Sequence, residues 1–327
     1  MLRGLDAQSR KFLADMDRLT AKMADAQRQI SSGKRINSVS DAPDDVSVLL
    51  ATRSELSAVE QAQRNLNLVK TEVDSAEQVL GLSVNALDRV LSLGAQGASD
   101  TASADSRRIL SLEISSILEQ LANFADTQVN GRHIFAGDLD QATPYTIDTD
   151  LLAKPITRED LLADADPFND AADLYEVNQV VQPYQGSAST REVQHPQGQR
   201  FRVAYTAQEI FDDPNPAKNV FQAVNKLRVA LHLNDSANIE SALGQVRSAA
   251  EHLNIMQSSY GAIQNRITEG LDVAAKRTLA LQSQIATVED ADISSAILEL
   301  TESRYQQEAA YAAEAKRPRT SLFDYLR

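Results

Sequence analysis

Between Ile239 and Val288 an apolar or aromatic residue recurs at every third or fourth position. The series is Ile239, Ala242, Val246, Ala249, Leu253, Met256, Tyr260, Ile263, Ile267, Leu271, Ala274, Leu281, Ile285 and Val288, with Thr278 its one polar member. That is the spacing of a coiled-coil seam. As a single helix the stretch would be roughly 75 Å long at the usual rise per residue. A compact domain has no room for such a rod, so the pattern predicts an elongated chain that works by assembly rather than by chemistry. From Ile263 through Ile267 and Leu271 to Ala274 the steps run 4, 4, 3, an eleven-residue unit. Such a unit straightens a left-handed supercoil. A boundary between an internal face and an intersubunit face is expected close to that step.

A second seam lies at the other end of the chain. Phe12, Met16, Leu19, Met23, Ala26 and Ile30 alternate steps of four and three, in strict a/d register. An isolated amphipathic helix of this length is marginal in water, so its partner must be another part of the chain or another subunit. Gly33 is placed to cap the helix, and Lys34 and Arg35 sit where cations favour its dipole. Pro43, followed by Asp44 and Asp45, then starts a new helix. Its stripe is Leu66, Val69, Val73, Ala76, Leu80, Leu87 and Val90, with Ser83 as a polar interruption. Residues 94–103 read as a loop because of Gly94 and Gly97. A third helix carries Leu110, Ile114, Ile117, Leu121 and Phe124.

The pattern changes at Asn130, where two glycines bracket a short β-prone piece. Proline is concentrated between Pro144 and Pro216, and helical periodicity fades. Residues 175–181 and 200–205 alternate like strands, with weaker candidates at 144–147 and 191–193. The acidic run 151–170 reads as a short helix or a loop. Helices resume with Phe221, Val224, Leu227 and Leu231, and the long stripe continues past Val288 through Ile293, Ile297 and Leu300. The fold class predicted is mainly α: an elongated antiparallel helical bundle or coiled-coil rod built from the N- and C-terminal segments, with a small, mainly β inserted domain. The expected divisions are 1–40, an N-terminal core helix; 41–137, the N-terminal part of the rod; 138–211, the β-rich insertion; 212–289, the C-terminal part of the rod; and 290–327, a C-terminal core helix and tail.

Composition narrows the function. Asp and Glu number 46 against 32 Lys and Arg, a net charge of -14, which argues against nucleic acid as the main partner. There is no cysteine, hence no disulfide framework or thiol chemistry. No uncharged apolar run follows the N-terminus, so neither a cleaved signal peptide nor membrane insertion is expected. The four histidines, His133, His195, His232 and His252, lack metal-pair spacing. Glu289, Asp290 and Asp292 could supply an acid–base pair, but read better as a solvated helix face. Lys316, Arg317 and Arg319 form a small basic cluster that suits an acidic partner surface or a solvated terminus. No catalytic, metal or cofactor site is predicted, and no enzyme.

Several stretches, in order, resemble the bacterial flagellin superfamily. The run Ile30 to Asp41 (ISSGKRINSVSD) is similar to its N-terminal signature, and Gln63 to Leu68 (QRNLNL) to the next. Tyr260 to Ile267 (YGAIQNRI) and Ile285 to Ile293 (IATVEDADI) resemble the C-terminal signatures. Within the superfamily, four features look most like the hook–filament junction branch, the third hook-associated proteins. They are the proline at Pro43, the run Asn130 to Gly137 (NGRHIFAG), residues 186–211 with the Val220-Phe221 start, and the ending Ser321 to Leu326 (SLFDYL). The sequence departs from the branch at His133, commonly Tyr there, and at Pro318, which lacks a backbone donor and is expected to break or kink the last helix.

The resemblance implies a subunit exported unfolded without a cleaved signal and held by an export chaperone at its C-terminal helix. It would form a homo-oligomeric ring between a neighbouring hook-associated protein and flagellin. The assembly interface is expected at Phe12, Met16, Leu19, Met23, Ile30, Arg35, Asn37, Leu281, Ile285, Val288, Ile293, Ile297, Leu300, Leu322, Phe323 and Leu326. The competing readings are a filament flagellin, a helical rod carrying a small binding module in 138–211, and a helical rod resembling type III translocators.

Overall fold

The computed structural model describes residues 7–38, 40–148 and 180–316. The chain is mainly α, with seven helices and two small antiparallel sheets among these residues. The helices are α1 (Ala7–Ser32), α2 (Pro43–Ala98), α3 (Ala104–Ala125), α4 (Ala207–Phe211), α5 (Val220–His232), α6 (Ser236–Glu289) and α7 (Ile293–Ala315). The strands are β1 (Gln128–Val129), β2 (Arg132–His133), β3 (Glu192–Gln194) and β4 (Arg200–Arg202). Most of the strand expected at 175–181, the acidic run 151–170, the site residues Leu322, Phe323 and Leu326, and Pro318 lie outside the described residues. The last helix ends at Ala315, capped by Lys316, two residues ahead of that proline.

Two compact units are present, and α2 and α6 contribute a segment to each. Residues 61–274 form one; residues 1–60 and 275–327 form the other.

In the 61–274 unit the apolar stripes meet as their spacing predicts. Leu66, Leu80, Leu87 and Val90 of α2 are buried with Ile239, Val246, Leu253 and Ile267 of α6. Ser83, the polar interruption, is buried too, and its hydroxyl donates to the Val79 carbonyl one turn back, 2.9 Å away. The two helices run antiparallel, shown by Gln264 donating to Asp74 at 3.0 Å and Gln257 to Glu77 at 3.1 Å. The α6 stripe stays buried at Ile267 and at Ala274. The 4, 4, 3 step therefore does not divide internal from intersubunit packing at Ile267, contrary to the sequence expectation. The eleven-residue spacing keeps the stripe on the same face of the bundle.

The loop expected at 94–103 is shorter than predicted, because α2 continues to Ala98. A Cβ on Gly94 would stand 2.5 Å from Leu243 Cδ2 and 2.9 Å from Leu227 Cδ2; one on Gly97 would stand 2.2 Å from Leu231 Cδ2. Both glycines thus serve close approach of α5 and α6 rather than a turn. Arg107 closes this end of the bundle. It is buried, and its guanidinium donates to the Gly97 carbonyl at 2.7 Å and to Asn234 Oδ1 at 2.6 Å. A cation at the end of α2 also answers the negative pole of the helix dipole.

The β-prone piece at Asn130 is a hairpin. Asn130 (φ 54°) and Gly131 (φ 75°) form its two-residue turn, the left-handed pair that matches strand twist. In the second sheet Val193 faces Phe201, both buried, with polar neighbours outward. The weak candidates at 144–147 and 191–193 are present as the isolated Ile147–Val181 bridge and as β3. These pieces share one core with the helices: Phe135 meets Phe211 and Tyr260 edge-on at ring-centre distances of 6.2 and 6.4 Å. The Tyr260 hydroxyl accepts from the Tyr205 backbone at 3.0 Å.

In the other unit α1 and α7 pair antiparallel, with Phe12 edge-on to Tyr311 at 6.2 Å and the ends nearest Lys34 and Asp290 bridged. The two N- and C-terminal seams therefore find each other, as predicted.

Candidate assembly surface

The α1–α2 and α6–α7 connections meet in a short backbone ladder. Gly33 (φ 70°) ends α1 by donating to the Gln29 carbonyl at 2.8 Å, the left-handed cap the sequence predicts. Its own carbonyl accepts from Ala291 at 3.0 Å, and Arg35 donates its backbone N–H to the Glu289 carbonyl at 2.7 Å. Asp41 holds the turn into α2 by accepting from the backbone of Asn37 (2.9 Å) and Ser38 (2.7 Å). The Ser38 hydroxyl, donating at 2.7 Å, and then those backbone bonds hold its carboxyl below the usual carboxylate range. Asp292 caps α7 through the backbone N–H groups of Ser294 and Ser295 and lies below its usual range, chiefly because the Ser295 hydroxyl donates to it.

Glu289 sits at the centre of this joint. Only 4 % of it is exposed, and its two oxygens stand 2.5 Å from Lys34 Nζ and 2.6 Å from Arg53 Nη2. The Lys34 hydrogen bond holds its carboxyl below the usual range, against the upward push of burial and with help from Arg53. The sequence reading of a solvated face at 289–292 is therefore corrected at Glu289. A signal existed: Glu289 lies four residues after Ile285 and so falls on the apolar stripe, where a carboxylate needs a partner. Arg35 ties the same joint from outside, donating to Asp45 at 2.7 Å and to the Val288 carbonyl at 2.8 Å. Asn37 donates to the Lys34 carbonyl at 2.9 Å. Further along, Arg277 of α6 pairs with Glu55 of α2.

Along α1 and α7 many apolar side chains stay open to solvent. Within α7 only Ala296 and Ser303 are buried. Ile293, Ile297, Leu298, Tyr305 and Tyr311 are exposed, Leu298 at 69 % and Tyr305 at 73 %. In α1, Met16 and Ala26 are buried, and Leu13 is open to solvent. Of the predicted interface residues, Met16 and Leu281 are buried inside the chain. Phe12, Leu19, Met23, Ile30, Ile285, Val288 and Leu300 are half-buried, whereas Arg35, Asn37, Ile293 and Ile297 face solvent. Leu50, Val48 and Leu279 add to the exposed apolar surface and were not expected from the sequence. They lie off the a/d stripes, where a periodicity search does not look.

Among the described residues no helix is long and apolar enough to cross a membrane, and no group of three or more His, Cys, Asp or Glu could hold a metal. A cavity beside the hairpin, between Glu72, His133 and Arg191, measures about 30 Å³, the space of one water.

Comparison with known proteins places this architecture. Residues 7–140 match the bacterial flagellin N-terminal helical region and residues 243–326 the bacterial flagellin C-terminal helical region. Flagellin FlaB1 of Treponema pallidum is 23% identical over 305 residues, covering 91% of this chain and 90% of that protein. Flagellin B of Helicobacter pylori is 30% identical over 116 residues, 35% of this chain and only 23% of its own length. Among solved structures, the fold is similar to flagellar hook associated protein-3 of Legionella pneumophila (TM-score 0.57, 13% identity, 73% of this chain and 98% of that one). It is also similar to FlgL of Bacillus cereus (TM-score 0.53, 19% identity, 72% and 99%). The family and fold are those of structural components of the bacterial flagellum. The chain belongs to the bacterial flagellin family.

Proposed function

We propose that this chain is a structural, non-catalytic subunit of the bacterial flagellum that assembles through α1 and α7 at the hook–filament junction, between a hook-associated protein and flagellin. One observation carries the reading: α7 has 23 residues and buries two of them within the chain. A helix with so little internal packing is not stable alone in water. Covering Leu298, Tyr305, Ile297 and their neighbours with other copies returns about 25 cal/mol for each Å² of apolar surface removed from water. A ring repeats that gain at every subunit. The predicted interface residues act in this reading as a continuous band, Leu281 and Met16 supporting it from inside.

The same exposed helix is a suitable handle for an export chaperone, which would cover α7 until secretion. Export proceeds unfolded and without a cleaved signal. The five divisions expected along the chain serve as segments of such a subunit, with 138–211 turned to solvent or to a neighbour.

The junction, rather than the filament, is favoured by Pro43, the run Asn130 to Gly137 and the similarity of fold to hook-associated proteins. A second reading, filament flagellin, is favoured by the nearly full-length similarity to a Treponema pallidum flagellin. Deleting the gene separates the two. Loss of a junction subunit leaves hooks made and flagellin secreted unattached into the medium. Loss of the filament flagellin leaves bare hooks without secreted flagellin from this gene.

A further inference from the structure

Beside the Glu289 joint the structure holds an open groove of about 410 Å³ between the α1–α2 turn and the first turns of α2. Its floor is apolar: Ile36, Val46 and Leu49 are buried, and Leu50 stands 59 % exposed at the edge. Its rim is cationic. Lys34 and Arg53 share the single carboxylate of Glu289, and about half of each side chain, 48% and 46%, remains open to solvent. An ammonium has three donors and a guanidinium five, so both keep capacity for a further acceptor. Among the residues lining the groove, two cations share one carboxylate, in a chain whose net charge is -14.

The outer face of α7 has the complementary chemistry. Leu298, Glu302 and Tyr305 follow at steps of four and three, so they share one face. All three are exposed, and among the described residues the Glu302 carboxylate accepts only from Gln306, at 3.0 Å. The chain's own α7 does not fill the groove, because its Leu298 remains 69 % exposed. We infer that this groove receives the Leu298–Glu302–Tyr305 face of α7 from a second copy of the chain. Leu298 covers Leu50 and Leu49, and Glu302 pairs with Lys34 and Arg53. The inference rests on the structural-subunit reading and adds the contact that joins neighbouring copies.

The chain contains no cysteine, which makes the test clean. Two full-length single-cysteine variants, Leu50→Cys and Leu298→Cys, are mixed in equal amounts, driven to assemble, and treated with a short bismaleimide. The expected result is a mixed dimer band from the assembled fraction, absent from the dilute monomer and from either variant alone. Assembly without that band overturns the groove contact and leaves the subunit reading intact. That includes a Leu50→Cys thiol which becomes protected on assembly yet does not bridge, since some other occupant then fills the groove. Failure of the chain to self-assemble at all overturns both. Glu302→Lys provides a second readout: it should raise the concentration needed for assembly, while Glu302→Gln should do so less.

Discussion

Lys34 and Glu289 are separated by most of the chain, yet Lys34 Nζ lies 2.5 Å from Glu289 Oε1, in a joint where the carboxylate is buried and the lysine is half-exposed. A carboxylate in that position is tolerated because Arg53 holds its other oxygen at 2.6 Å. The pair pins the turn after α1 to the turn before α7.

The joint predicts how assembled protein responds to acid. Glu289 titrates below its unfolded value, so its contribution is full above the ordinary carboxylate pKa and is lost as pH falls through the lower folded one. Assembled protein should therefore dissociate progressively below about pH 4.5. Glu289→Gln should flatten that dependence and weaken assembly at neutral pH by about 1–3 kcal/mol per subunit. Sedimentation of polymer across a pH series checks this; an unchanged acid profile in the variant contradicts it.

Amide exchange on dilute monomer should separate the two units. Amides of α2, α5 and α6 between residues 61 and 274 should be strongly protected, because their stripes are buried within the chain. Those of α1 and α7 should exchange fast and slow down only on assembly.

The glycine positions in the helices give opposite signs. Gly94→Ala should destabilise the 61–274 unit by about 1–2 kcal/mol, because overpacking against buried Leu243 and Leu227 outweighs the gain in helix propensity. Gly244→Ala, with nothing within 4 Å of its added methyl, should stabilise by about 0.5–1 kcal/mol. Chemical denaturation of the two variants side by side reads both.

Periodicity revealed most of the helices and their antiparallel pairing, because steps of three and four report directly on backbone geometry; at Asn130 it gave only a β-prone piece, and the two-residue turn that makes it a hairpin comes from the structure. It failed at Gly94 and Gly97, where the same residue type serves close packing inside a helix and turns between helices. It also failed at Glu289, since an acid among acids looks solvated until the cations from residues 34 and 53 are brought to it. The apolar side chains at Leu50 and Leu279 were missed for a related reason. A residue off the stripe is read as incidental until the structure shows how few stripe positions its neighbours bury.

Surface exposure at α7 predicts a separable defect. Leu298→Lys should weaken assembly by about 1–3 kcal/mol per contact while leaving the melting of the 61–274 unit unchanged. Calorimetry on monomer, alongside the critical concentration for assembly, distinguishes this from a general loss of folding.

The most direct measurement is electron microscopy of flagella carrying a tag inserted near Asp164. A junction subunit places the label in a single band where hook meets filament. Label distributed along the whole filament contradicts the junction assignment and identifies a filament subunit instead.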